Sequence, residues 1–117
     1  MKLINESFIE EKKSKFYGYL YEIDNKEDID NILNNLKNKH KGYRHIPYAY
    51  KLCNTAGKTN DKEPGDLGMN FLTILERNSL NNHLLLVVRF FGGTKLGAST
   101  LTRNYSKCAN LCINNNN

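Results

Sequence analysis

Apolar positions along the chain alternate between the two-residue period of a strand and the three-to-four-residue period of a helix. Phe16, Tyr17, Tyr19, Leu20, Tyr21 and Ile23 form an aromatic and aliphatic run that reads as a strand. Asn25 follows as an N-cap with Glu27 and Asp28 in the first turn, and Ile29, Ile32, Leu33 and Leu36 then make the i, i+3, i+4, i+7 stripe of a helix that Lys41-Gly42 ends. Tyr48 to Cys53 reads as a strand entered through Pro47, where a missing N–H does little harm. Asn54 to Gly65 is polar and Gly-bearing, a loop or hairpin tip with room for a short strand near Thr59 to Glu63. Asp66 is placed to cap a second helix carrying Leu67, Phe71, Leu72 and Leu75, and Asn78 to Asn82 turns the chain. The longest apolar run, Leu84 to Val88 within His83 to Phe91, predicts a central strand buried on both faces. After the loop Gly92 to Gly97, a last helix from about Ala98 to Ile113 buries Leu101, Tyr105, Cys108 and Cys112.

The predicted order is strand, helix, one or two strands, helix, strand, helix. It implies an α/β domain of the α+β kind: a two-layer sandwich with a mixed sheet and helices largely on one face. At 117 residues the chain has the length of one domain, 1–117, with a core of about residues 14–113. The Asn-rich tail, Asn114 to Asn117, is expected to fray. Met1 to Glu11 has no apolar stretch of the signal-peptide kind and no run approaches the length of a membrane span, so the expectation is a cytoplasmic chain with no membrane partner. An odd number of cysteines, three, argues against a disulfide framework and for reduced thiols.

Seventeen Lys and Arg against twelve Asp and Glu leave a formal charge of +5. That excess favours anionic partners: RNA, the ribosome or a phosphate-containing ligand. Lys37, Lys39 and Lys41 account for part of it, because they sit where a helix C-terminus attracts cations.

The candidate chemistry lies between the buried strand and the last helix, in Gly92-Gly93-Thr94-Lys95-Leu96-Gly97. Adjacent glycines permit positive φ or close backbone approach, and Lys95 adds a point charge. Gly97 frees the start of a helix opened by Ser99 and Thr100, whose first N–H groups lack intrahelical partners and carry partial positive charge. Arg89 and Arg103 would add charge to the rim of such an anion site. The alternative is a sharp strand-to-helix turn with a solvated lysine, since the spacing matches neither the P-loop nor the dinucleotide pattern.

Arg89-Phe90-Phe91-Gly92-Gly93-Thr94-Lys95-Leu96-Gly97-Ala98, followed by Leu101, Arg103, Tyr105 and Ser106, resembles the signature of the IMPACT/YigZ family. Ser14-Lys15-Phe16 with Gly18-Tyr19, His45 with Tyr48-Ala49-Tyr50, and Asp61 with Glu63-Pro64 and Gly68 resemble the blocks that precede it, in order. The resemblance implies a fold like the second domain of ribosomal protein five of the small subunit and domain IV of elongation factor G, and a connection with translation. Eukaryotic relatives dampen an amino-acid-starvation kinase by competing for its activator, and bacterial relatives have no settled activity. Three departures narrow the transfer. Ser99-Thr100 stand where the family usually has two glycines, Lys62 replaces a glycine, and Gly65-Asp66-Leu67-Gly68 shortens a loop, which weighs against a catalytic role there. The flanking domains of both eukaryotic and bacterial members are expected to be missing, so kinase-pathway regulation is not carried over.

Other clusters are weighed on their chemistry. Cys108 and Cys112, one helical turn apart, would place two thiolates together, but they continue the apolar stripe of Leu101 and Tyr105 and no further ligands complete a metal site; core packing is the reading, with no metal and no cofactor. His45, Asp61 and Glu63 would supply acid, base and orienting groups if they converged with Lys95. A polar loop cluster is the commoner meaning, and no catalytic residue is assigned. Tyr43, Tyr48, Tyr50 and Phe90, interleaved with Arg44, Lys51 and Arg89, would suit single-stranded nucleic acid; Tyr50 and Phe90 are expected in the core instead. His40 and His83 lie at element ends and need no special role. Together these point to a module that binds RNA, the ribosome or a translation-related protein. An enzyme acting on a small phosphorylated or nucleotide substrate and a protein–protein regulator are the alternatives.

Overall fold

A computed structural model of the chain describes residues 1–114. In chain order the elements are β1 (Lys2–Glu11), β2 (Ser14–Glu22), α1 (Lys26–Lys39), β3 (Tyr48–Leu52), β4 (Thr55–Thr59), α2 (Leu67–Arg77), β5 (His83–Phe90) and α3 (Ala98–Asn114). The strands form one sheet in the order β1-β2-β5-β3-β4.

β5 holds the centre because its apolar run leaves it no polar face. Leu84, Leu86 and Val88 project to one side, where they meet Tyr19 and Ile23 and the stripe Ile29, Ile32 and Leu36 of α1. Leu85 and Val87 project to the other, against Phe16 and Leu20, Phe71 and Leu75 of α2, and Leu101, Tyr105, Cys108 and Cys112 of α3. The α+β class stands, while two expected details differ. The sheet is antiparallel throughout, not mixed: β2, α1 and β3 do form a strand–helix–strand unit, but β5 inserts between the two strands and pairs antiparallel with both. The helices also divide between the faces, with α1 alone on one side. A strand apolar on both faces must be covered on both.

β1 is absent from the sequence-based order, and its chemistry explains the omission. It is an edge strand with one side open to solvent, so only part of its pattern is apolar. The hairpin into β2 turns on Lys12 and Lys13, both at positive φ (48° and 69°), without the Asn-Gly or Asp-Gly signal that usually marks such a turn. β4 lies at Thr55–Thr59, pairing with β3, ahead of the Thr59 to Glu63 stretch where a strand was expected; that stretch turns at Asp61 and Lys62. Asn25 caps α1 as expected, its side-chain oxygen accepting from the Asp28 amide at 3.1 Å. Asp66 stands at the start of α2 but makes no side-chain cap bond. Asn114 is the last residue of α3 rather than part of a frayed tail, and positions 115–117 lie outside the described residues.

Cys108 and Cys112 are fully buried on α3, where Ser7 Oγ lies 3.3 and 3.0 Å from their sulfurs. Burial pushes the thiols up, Cys108 to about 12 and Cys112 to about 11, so both stay neutral core groups at ordinary pH.

His40 has a role the sequence reading did not assign. It ends α1 as C-cap and is buried, its Nε2 2.7 Å from Tyr19 Oη, with its ring 4.7 Å from that of Tyr17. Burial, aided by Lys39 and opposed by Glu6, lowers its pKa from the ordinary 6.5. The unfolded chain therefore takes up this proton first as pH falls, so the stability tied to a neutral His40 is complete above 6.5 and is lost as pH falls through the lower folded value. Urea midpoints between about pH 7.5 and 5 should decline with acidification, and His40→Gln should flatten that decline. An identical decline in the variant would remove His40 from the account.

Candidate functional site

β5 delivers the chain into the glycine loop beside the β1–β2 turn. A side chain at Gly92 would lie 2.1 Å from the Lys13 carbonyl carbon and 2.3 Å from the Ser14 amide nitrogen, so the backbones touch where glycine stands. The Gly92 amide itself donates to Ser14 Oγ at 3.3 Å. It serves packing, not an external anion. Gly93 sits at φ +94° in the left-handed region. Gly97 is different: a methyl there would meet nothing, so the glycine expected to free the helix start is not sterically required. The first intrahelical bond of α3 runs from the Leu101 amide to the Gly97 carbonyl at 2.9 Å. The N–H groups of Ala98, Ser99 and Thr100 precede it and form the positive end of the helix.

Lys95 is exposed and lines a cavity of about 570 Å³ with Arg44, Glu63, Arg89, Phe91 and Leu101 among its walls. Arg103, also exposed, is not among the residues lining it. Arg89 was expected on the rim and lies buried instead, with 7% of its surface exposed. Phe16 stands opposite it in register, which turns its side chain to the α2/α3 face of the sheet.

There Arg89 Nη1 donates to Glu63 at 3.1 and 3.4 Å. Glu63 is equally buried and also accepts from the Tyr105 hydroxyl, while His45 Nε2 lies 3.3 Å from its other oxygen. His45 Nδ1 is 2.7 Å from the Asp61 carbonyl, so both ring nitrogens face oxygen acceptors. Burial and the Glu63 hydrogen bond raise the Tyr105 pKa, which keeps the phenol a donor. His45, Asp61 and Glu63 thus converge as the sequence reading considered, and Lys95 shares the cavity with Glu63. Their bonds are nonetheless mutual: Glu63 ties the loop to β5 and α3, and the Asp61 carboxylate accepts the Ile46 amide at 2.6 Å.

The turn before Glu63 costs conformational energy. Asp61 and Lys62 both have positive φ, 49° and 66°, and Lys62 occupies a conformation that favours glycine. Asn60 steadies the far side, donating to the Gly65 carbonyl at 3.0 Å and accepting the Gly68 amide at 2.7 Å. Tyr105 and Asn60 were missed as polar contributors. A tyrosine on an apolar helical stripe is a signal that its hydroxyl needs a buried partner.

Comparisons with known proteins agree with this architecture. The family model described as "Impact N-terminal domain" matches residues 12–113. The IMPACT family member YvyE of Bacillus subtilis is 31% identical over 107 residues, covering 88% of this chain and 49% of its own length. An IMPACT family member of Saccharomyces cerevisiae is 28% identical, covering 93% of this chain and 89% of its own. The chain thus spans about half of the Bacillus relative. Among solved structures, one described as a hypothetical protein superposes with a TM-score of 0.86 at 26% identity, over 97% of this chain and 60% of that one. The two-domain translational regulator Yih1 superposes at 0.52 with 18% identity, over 98% of this chain and 46% of that one, a likeness of fold.

Proposed function

The chain belongs to the Impact N-terminal domain family, and from that premise we propose that it is a translation-related regulatory module that binds an anionic partner, RNA or a ribosomal or translation-factor surface. The observation that carries this reading is the cavity where Lys95 and Arg44 meet the leading end of α3. Glu63 offsets Arg89 internally, so the charge offered to a partner is that of Lys95 and Arg44, reinforced by the helix dipole. The formal charge of +5 agrees in sign, and the fold shared with a translational regulator supports the pathway.

RNA affinity measured by fluorescence anisotropy should fall steeply with salt, because bound phosphates release counterions. Lys95→Ala should weaken binding across RNA sequences and reduce the salt slope by about 1. Equal affinity at low and high salt, or a Lys95→Ala variant indistinguishable from the parent, would count decisively against the proposal.

A further inference from the structure

A second feature lies on the α1 face of the sheet, where α1 stops short. The helix ends at His40, whose ring lies 5.7 Å from that of Phe90. Beyond it a row of aromatic rings crosses three strands without a helix above them. Phe8 on β1 stands opposite Tyr17 on β2, with ring centroids 4.9 Å apart. Tyr17 meets Phe90 on β5 at 5.8 Å, edge to face. Phe8 and Phe91 are 49% and 37% exposed, a poor arrangement for rings whose only task is to fill a core.

The surroundings are basic. Lys13 and Lys15 line a concavity of about 300 Å³ with Tyr17, Phe90 and Phe91, and the Arg44 guanidinium lies 5.1 Å from the Phe91 ring centre. Glu10, opposite Lys15, and Glu6, opposite Tyr19, are acidic neighbours on the same face of β1. Phe91 also lines the cavity that holds Lys95, so the aromatic row and the cationic cavity share a wall.

Resting on the reading above, we infer that the anionic partner is single-stranded RNA, with bases stacked on the exposed rings of Phe8 and Phe91, which Tyr17 supports from within the row, and its backbone tracked by Lys13, Lys15 and Arg44 toward Lys95. Aromatic faces interleaved with cations on an open sheet fit unpaired bases, because stacking needs a free π-face. A duplex hides its base faces, and a merely acidic surface has no use for the rings. Charge alone would bind all polyanions alike; the rings select the strand whose bases are open.

The test compares a single-stranded RNA of about ten nucleotides, the same sequence as a duplex, and inorganic polyphosphate, by anisotropy or competition at low salt. Phe91→Leu and Phe8→Leu keep apolar bulk at exposed positions and remove the π-face. The single strand should bind more tightly than the duplex, and each variant should lose about tenfold for it, with polyphosphate affinity unchanged in Phe8→Leu, whose ring lies outside the Lys95 cavity. Circular dichroism and the urea midpoint confirm that the variants are folded. If both variants bind the single strand like the parent, or if duplex and single strand bind equally, the inference is overturned. Should Lys95→Ala still weaken polyphosphate and RNA alike in that case, the anion-binding proposal stands without it. Should no polyanion bind the parent at low salt, both fall.

Discussion

Glu63→Gln should destabilise the domain by about 3–5 kcal/mol, a large part of the 5–15 kcal/mol typical of a domain this size. The substitution keeps the side chain's shape and removes its charge. Arg89 would then be buried with no counter-ion, and its Nε already lacks a hydrogen-bond partner, so Nη1 is the nitrogen on which its anchoring depends. The Tyr105 hydroxyl would face an amide that can present either an acceptor or a donor. The double variant Glu63→Gln with Arg89→Met should recover part of the loss, because it removes the stranded charge along with its partner. Urea denaturation of parent, single variants and double variant completes the cycle. A Glu63→Gln midpoint within error of the parent would show that the carboxylate is not what holds Arg89, and the role assigned to the cluster would be withdrawn.

That cluster also shows where sequence was enough and where it was not. The stripe on α1 and the double-sided run of β5 follow from local period alone, and both appear where expected. The Gly92-Gly93 pair and Lys95 stand out in the sequence as a candidate site because their residue types are unusual at such a position, although Gly92 turns out to serve packing against Ser14. What period cannot give is pairing. Whether β5 lies between β2 and β3 or leaves those two strands paired with each other decides antiparallel against mixed, and nothing in residues 83–90 states it. The burial of Arg89 has the same origin: its face is set by register with Phe16, a partner seventy-three residues distant by subtraction of their numbers. The double-sided apolar character of β5 by itself implies cover on both faces. β1 stayed hidden for another reason, since an edge strand exposed on one side needs few apolar residues and its Lys12-Lys13 turn carries no glycine.

A graded result is expected from the three glycines of the loop, and Gly92→Ala should be the most damaging of them. The atoms a methyl would strike, at 2.1 to 2.4 Å, all belong to the backbone of Lys13 and Ser14. No side-chain rotation relieves such a contact, so either the β1–β2 turn or the loop must shift, at a cost of about 3 kcal/mol or more. Gly93→Ala meets no atom but must hold a side chain at φ +94°, a strain of about 1–2 kcal/mol. Gly97→Ala meets neither obstacle, and by restricting the unfolded chain it should be neutral or stabilising by about 0.4–1 kcal/mol. Binding should follow a related order, because the Gly92 contact holds the Lys13 backbone against the loop that carries Lys95. Gly92→Ala should therefore weaken RNA binding even below its unfolding midpoint, whereas Gly97→Ala should leave it intact. Thermal or urea midpoints with Gly97→Ala as low as Gly92→Ala would mean that the loop's glycines act by general flexibility, and the specific backbone contact would lose its place in the argument.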